Sequence, residues 1–299
     1  PREDALRSLL KGHRFRFVDG KWRYYGRRVD RDHAVSDIRA WLQEQDQTDK
    51  RTGPRAPQYP PTEQQQRIID AYQQGKTIVV QALAGTGKTS TLQMLAHLDD
   101  RRIAYIAFNR SIADEAQRKF PRHVTADTSH AFARAGLQNT PLRDKVGRVG
   151  PRSEGARWPE EWAEVLGITA PLDPQALAPE AVARHVMATV RKFRESADDT
   201  IGKQHLPDSL RQPDTQAVAA AVLAFAEHAW ADLTSPDGRL RMDHDDYLKV
   251  WALGRPRLPY DVIFFDEAQD ISPVLGKVIK DQPVQTVVVG DSHQSIYGF

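Results

Sequence analysis

The chain has 299 residues, 40% of them apolar and 27% charged, and no cysteine; at roughly 100–200 residues per domain this describes about two globular domains. It holds no run of about 18 apolar residues to cross a bilayer, and its first residues (PREDALRSLLKGHR) lack the apolar stretch of a signal peptide. The lack of cysteine excludes disulfides and zinc–thiolate sites and fits a cytoplasmic setting, while the net charge of +2 hides an uneven spread: residues 1–60 carry 14 Lys and Arg against 9 Asp and Glu, and the remainder carries 28 against 31.

The N-terminal basic excess has two readings, a nucleic-acid partner or a solvated basic tail. Residues 14–25 (RFRFVDGKWRYY) alternate apolar and polar about Asp19-Gly20, which predicts a β-hairpin. Val35, Ile38, Trp41 and Leu42 share one face of a predicted helix over 32–44. The proline-rich run DQTDKRTGPRAPQYPP predicts a linker over 46–60, which separates a small basic and aromatic module, 1–45, from the main body. The hairpin's aromatics and arginines suit either single-strand binding or plain packing of Phe15, Phe17, Trp22 and Tyr24 on the next helix; a protein partner for 1–45 is a further reading.

From residue 61 the pattern changes. TEQQQRIIDAYQQG predicts a helix with Thr62 as its N-cap and Gly75 past its end. A β-rich run (77–83), a glycine-rich turn, a helix (88–98), a strand (102–108) and a helix (111–120) follow, the order of a parallel α/β sheet. The strand signal is lost over 137–250, which reads as helices at 159–166, 178–195 and 214–231. It resumes at YDVIFFD (260–266) and QTVVVGD (285–291). A helical block therefore interrupts one sheet. Arg191, Lys192 and Arg194 within that block suit duplex contact or a solvated helix face.

AGTGKT (84–89) lies between a predicted strand and a predicted helix and meets the pattern G-x-x-x-x-G-K-[ST] except for Ala82 in its first position. Gly85 and Gly87 let the backbone wrap closely and aim N–H groups at phosphate oxygens. The helix N-terminus adds its dipole. Lys88 is suited to neutralise phosphate charge, and Thr89 to ligate Mg²⁺. FFDEAQD (264–270) ends an apolar strand in two carboxylates, where open α/β sheets bind ligands. Asp266 suits indirect Mg²⁺ coordination, and Glu267 suits orienting or deprotonating an attacking water; an exposed acidic helix start is the plainer alternative.

Together these segments resemble the superfamily 1A DNA helicases of the UvrD/PcrA/Rep group. TEQQ (62–65) looks like the family's Q motif, AGTGKT like motif I, FNRSIADEA (108–116) like motif Ia, and TSHAFA (128–133) like the Thr-x-His motif. DEAQD looks like motif II and GDSHQSIYGF like motif III. The wording of QALAGTGKTSTL, IAFNRSIADEAQRKFP and YDVIFFDEAQD is closest to the F-box DNA helicase branch. The resemblance covers 58–136 and 243–299; the helical block matches in position alone.

The resemblance implies an α/β P-loop NTPase with a RecA-like parallel sheet (domain 1A, 61–136 and 251–299) and an inserted, mainly helical subdomain (1B, 137–250). It implies ATP and Mg²⁺ as cofactors, and ATP-dependent 3′→5′ movement on single-stranded DNA and at single/double-strand junctions. Gln65 would read the adenine edge. Ala84, Gly85, Thr86, Gly87, Lys88, Thr89 and Ser90 would hold the nucleotide, and Gln294 would sense the γ-phosphate. Asn109, Arg110 and His130 would touch the DNA backbone, and Tyr297 and Phe299 its bases. Structural readings stand beside these: core aromatics for Tyr297 and Phe299, a helix buttress for His130, a surface arginine for Arg110. The resemblance also implies that the chain ends within motif III, that a second RecA-like domain belongs to a longer parent, and that this portion alone hydrolyses ATP slowly and does not unwind. The expected location is the cytoplasm, on the nucleoid in a bacterium or phage, or the nucleus in a eukaryote. A regulatory nucleic-acid-binding module and an RNA-directed P-loop helicase are the alternatives.

Overall fold

The computed structural model describes residues 10–11, 15–18, 21–24, 34–38, 59–81, 87–151, 153–172 and 177–291. The chain divides into two compact units, Pro1–Arg55 and Ala56–Phe299. In the first, strands β1 (Phe15–Val18) and β2 (Lys21–Tyr24) pair antiparallel with Val18 opposite Lys21, the hairpin expected about Asp19-Gly20. Residues 34–38 are helical, within the predicted 32–44. The rest of that helix, and the linker up to residue 58, lie outside the described residues.

The second unit is built on a five-stranded parallel sheet in the order β3-β7-β6-β4-β5. The strands are β3 (Ile78–Gln81), β4 (Ile103–Ala107), β5 (Val124–Thr128), β6 (Val262–Phe265) and β7 (Gln285–Gly290). Helix α1 (Glu63–Gln73) precedes the sheet and starts at a full capping box, with Thr62 and Gln65 satisfying each other's backbone N–H. β4 and β6 are buried along their whole length, as central parallel strands with both faces covered should be. Alternate residues of β4 enter two different cores. Ile103, Tyr105 and Ala107 pack with α1, α2 (Lys88–Ala96) and α3 (Arg110–Lys119). Ala104 and Ile106 pack with α4 (Ser129–Gly136), α9 (His244–Leu253) and α10 (Pro273–Lys280).

This division follows from the strand order. The β3-α2-β4 crossover runs one way along the sheet and the β6-α10-β7 crossover runs the other, so crossovers of one hand place their helices on opposite faces. Both connections leave the carboxyl ends of the strands, and that edge carries Lys88 after β3 and Asp266 after β6.

The helical block has its own core. α6 (Pro159–Leu166), α7 (Pro179–Glu195) and α8 (Gln216–Leu233) bury Trp162, Leu166, Val182, Val186, Val190, Val218, Val222 and Leu233 against one another. This core spans less than the 137–250 read from sequence. Leu137, Leu142, Val146 and Val149, and Met242 to Trp251 on the other side, pack beneath the sheet. α5 (Arg143–Gly147) belongs to that layer. β5 is the strand with no counterpart in the sequence reading, since Val124-Thr125-Ala126-Asp127-Thr128 offers one apolar face and no long apolar run; helices α4, α5, α9 and α10 are not among the helices read from sequence either.

Two lysines from the sheet layer cap the long helices of the block. Lys145 Nζ donates to the carbonyls of Asp232, Ser235 and Gly238 at the end of α8. Lys249 Nζ donates to Ser196 O (2.8 Å) and Asp198 O (2.6 Å) past the end of α7 and lies 4.2 Å from the centroid of the Phe193 ring. Cations are favoured at helix C-termini because the last carbonyls have no partner within the helix. Beside Lys249, Arg194 Nη1 meets the buried carboxylate of Asp246 at 3.1 Å, and Lys277 Nζ reaches Asp199 at 2.6 Å.

Lys249 is 1% exposed, and burial pushes its ammonium down to about 8. Lys249→Met strands two carbonyls and should cost about 1–3 kcal/mol at neutral pH. It should also remove a pH slope. Between about 8 and the ordinary lysine value of 10.5 the unfolded chain holds a proton that the folded chain has released, so stability from this group rises with pH. Thermal melts of both proteins across that window check the difference.

Candidate active site

The site forms where the segments after β3 and β6 meet. Gly87 is the N-cap of α2 with φ 86°, a left-handed conformation that suits glycine and strains any side chain. Lys88, the next residue, is 9% exposed and its Nζ lies 2.7 Å from Glu267 Oε2. Thr89 Oγ1 lies 3.4 Å from Asp266 Oδ2. Lys88 and Glu267, 179 residues apart in sequence, are thus a contact pair. Ser90 is exposed on the first turn of α2. Ala84, Gly85 and Thr86, expected to wrap the phosphates, lie outside the described residues.

Asp266 is 3% exposed and its carboxylate is satisfied from three sides. Tyr105 O–H donates at 2.6 Å, Thr89 O–H at 3.4 Å, and the Glu267 N–H donates to Oδ1 at 2.9 Å. Burial pushes Asp266 above the usual carboxylate range, against the pull of the Tyr105 hydroxyl. Burial and the adjoining Asp266 raise the Tyr105 phenol, which keeps it a donor. Glu267 goes the other way: burial pulls it up, but hydrogen bonds from Gln269 and Lys88 hold it below its ordinary value. It therefore stays ionised.

Glu267 has φ 55° and ψ 51°, a left-handed conformation rare outside glycine. Such strain, about 1–2 kcal/mol, survives where surrounding contacts over-determine it and is concentrated at functional sites. Here the contacts are Lys88 and Gln269. Gln269 Nε2 donates to Glu267 Oε2 at 2.6 Å, and its Oε1 accepts from Asp291 N at 3.0 Å. Gly290 makes that approach possible: a Cβ there would lie 2.9 Å from Ala268 Cβ and 3.1 Å from Gln269 Oε1.

The donor set fits a nucleoside triphosphate with Mg²⁺. A largely enclosed lysine at a helix N-terminus suits phosphate oxygens. A threonine hydroxyl beside a buried carboxylate offers hard oxygen ligands, and Mg²⁺ keeps few protein ligands when phosphates supply the rest. Among the described residues no group of three or more His, Cys, Asp or Glu could hold a metal on its own.

The comparisons with known proteins point the same way. The profile of the family described as AAA domain matches residues 65–299. F-box DNA helicase 1 of Gallus gallus is 30% identical over 251 residues, which cover 80% of this chain and 24% of that protein. F-box DNA helicase protein 1 of Schizosaccharomyces pombe is 29% identical over 247 residues, covering 80% of this chain and 28% of its own length. The chain belongs to the superfamily 1 helicases, on their F-box DNA helicase branch. It spans about a quarter of the length of these two relatives.

Gln65, expected to read the adenine edge, makes structural contacts of its own. Its Oε1 accepts from Thr62 N at 3.0 Å, and its Nε2 donates to Thr91 Oγ1 at 3.1 Å, which in turn donates to Gly87 O at 3.0 Å. The amide ties the start of α1 to the first turn of α2. The residues expected along DNA are likewise engaged. Asn109 Oδ1 caps α3 by accepting from Ile112 N. Arg110 is paired with Asp114 at 2.9 Å and Asp127 at 3.1 Å. His130 Nε2 lies 3.2 Å from Asp245 Oδ1 and edge-on to His244 and Tyr247, joining α4 to α9. Gln294, Tyr297 and Phe299 lie outside the described residues.

The sequence reading missed Tyr105, Gln269 and Gly290 as parts that hold the site, and Phe108, an aromatic 56% exposed at the carboxyl end of β4. A tyrosine inside IAYIAF carries no signal of a partner in DEAQD; the parallel pairing of β4 with β6 supplies it, with Tyr105 beside Phe264 in register. Tyr105→Phe removes the closest donor to Asp266. Thermal melts should show a loss of about 1–3 kcal/mol, and titration with a fluorescent ATP analogue should show a reduced gain in affinity from Mg²⁺.

Proposed function

We propose that this chain is the ATP-hydrolysing part of a helicase that moves along single-stranded DNA. The observation that carries the reading is the clustering of Lys88, Thr89, Asp266 and Glu267 from two distant segments at one strand edge. In the proposed reaction Lys88 neutralises the terminal phosphates, and the N–H groups at the start of α2 face the same charge. Thr89 and Asp266 would hold magnesium, which would supply neutralising charge to the phosphate oxygens. Lys88 has two anionic partners to choose between. When phosphate takes it, Glu267 loses one of the two side-chain contacts that hold its proton affinity down. Glu267 then accepts a proton from the attacking water more readily, with Gln269 keeping the carboxylate in place.

The carboxyl edge next to this site supports the DNA reading. Phe108 is exposed there, and stacking of a base on an aromatic ring is worth about 1–3 kcal/mol without regard to sequence. Asn109 keeps its amide N–H groups for phosphate oxygens while its Oδ1 caps the helix. Gln294 as phosphate sensor, Tyr297 and Phe299 as base contacts, Gln65 as adenine reader and 3′→5′ polarity rest on the family resemblance. The two relatives are named as DNA helicases, which favours DNA over RNA.

Lys88→Ala should lower both ATP binding and DNA-stimulated ATP turnover. Glu267→Gln should keep ATP binding and lower turnover about 10²–10⁴-fold. Steady-state phosphate release and nucleotide titration separate the two; normal turnover in either variant removes the assigned site. Phe108→Ala should weaken oligo-dT binding by about 1–3 kcal/mol with ATP affinity unchanged. Displacement of 3′-tailed but not 5′-tailed duplex by a longer protein that joins this chain to a second RecA-like domain tests polarity.

A further inference from the structure

The helical block carries a groove that the ATP and DNA assignments leave unused. It has a volume of about 580 Å³ and lies between the start of α6 and one face of α7. Arg184, Met187, Ala188 and Arg191 line it at the i, i+3, i+4, i+7 spacing of a single helix face. Met187, Ala188, Trp162 and Leu233 make an apolar floor, and Arg157, Arg184 and Arg191 are exposed around it. None of these three arginines is ion-paired among the described residues, whereas Arg194 at the groove's end is held by Asp246 and Asp243.

Arginine rims of this kind attract an anion, and two kinds of macromolecule carry one. The floor and the wider charge choose between them. A nucleic-acid strand needs a basic track for its phosphates and open aromatic faces for its bases. Here the three arginines stand at one rim, enough for a few carboxylates but not continued as a track, since the block over 137–250 carries 18 Asp and Glu against 14 Lys and Arg. Trp162, the aromatic in the floor, is 6% exposed and spends its N–H on Ala156 O. The floor is otherwise aliphatic and thioether, which suits apolar side chains and leaves phosphates and sugars poorly solvated. A methionine-bearing groove with cationic edges is matched by an amphipathic segment: apolar anchors below, carboxylates at the rim.

We propose that the groove between α6 and α7 is a docking site for a short acidic protein segment that inserts one or two apolar side chains over Met187 and Ala188 and sets its carboxylates against Arg157, Arg184 and Arg191. Its place on the helical block, away from the Lys88–Glu267 pair, makes it a recruitment surface rather than part of ATP hydrolysis.

The test uses the whole chain and fluorescence anisotropy with four labelled probes, each about 12 residues or nucleotides long. They are a peptide of Asp and Glu with two Leu and one Phe, its Lys-for-acid counterpart, an acidic peptide with Ser in place of Leu and Phe, and oligo-dT. The acidic apolar peptide should bind saturably, and the Lys and Ser versions should bind at least about 10-fold more weakly. Arg184→Glu with Arg191→Glu, both on the solvent face, should reduce its binding about 10-fold or more and improve binding of the Lys peptide. Met187→Asp should weaken the acidic peptide while leaving oligo-dT binding as it was. Circular dichroism melts confirm that each variant folds; should Met187→Asp fail, Ala188→Glu puts the same charge into the floor. Peptide binding that ignores the double charge reversal overturns the proposal. So does oligo-dT binding that is lost with that reversal, which would make the groove a nucleic-acid path.

Discussion

Asp266 ends a strand whose four residues are wholly enclosed, and a carboxylate in that place must find donors or lose its charge. Three segments supply them. Tyr105 comes from the neighbouring strand β4, Thr89 from the helix after β3, and the Glu267 N–H from the backbone itself. The same turn forces Glu267 into a left-handed conformation, which Lys88 and Gln269 stabilise by gripping its side chain. The satisfaction of one buried carboxylate therefore draws together the phosphate helix, the central strands and the loop that leads to β7. The geometry proposed for ATP hydrolysis is a consequence of that requirement.

The second constraint is how a helical block joins such a sheet without disturbing it. The block contributes its own apolar core, and its junction with the sheet layer is polar. Lys145 and Lys249 each reach from the sheet layer to carbonyls at the end of a long helix, where hydrogen-bond acceptors are left over. Lys277 continues the junction onto α10, the helix that follows the DEAQD turn. A polar junction of this kind fixes orientation through geometry rather than area, since each stranded carbonyl or buried charge is costly. It also gives a physical route between the ATP edge and the block that carries the arginine groove.

Along the carboxyl edge, residues expected to touch DNA already hold structure. Asn109 caps a helix, Arg110 is paired twice, and His130 joins two helices. These contacts do not compete with binding so much as set its terms. A capped Asn109 is preoriented, and an Arg110 shared between Asp114 and Asp127 is a weaker free cation than its exposure suggests. Phe108 has no such duty among the described residues and stands exposed at that edge.

Local pattern was enough for much of this. The capping box at Thr62, the strand–glycine–helix order around Gly87 and Lys88, and the apolar strand ending in Asp266-Glu267 are written over a few adjacent residues each, because backbone conformation and helix capping are short-range effects. The three long helices of the block were legible for the same reason. What local pattern could not reach was anything decided by strand order. β5 was missed because a short half-buried strand has too few apolar residues to stand out until β4 pairs with it. Tyr105, Gln269 and Gly290 acquire their roles from the neighbours that the order β3-β7-β6-β4-β5 brings to them. The residue types of the ATP site were determined by the sequence itself, whereas the pairing of Lys88 with Glu267, the protection of Asp266 and the docking of the helical block were decided by tertiary structure, since each depends on contacts between segments far apart in the chain.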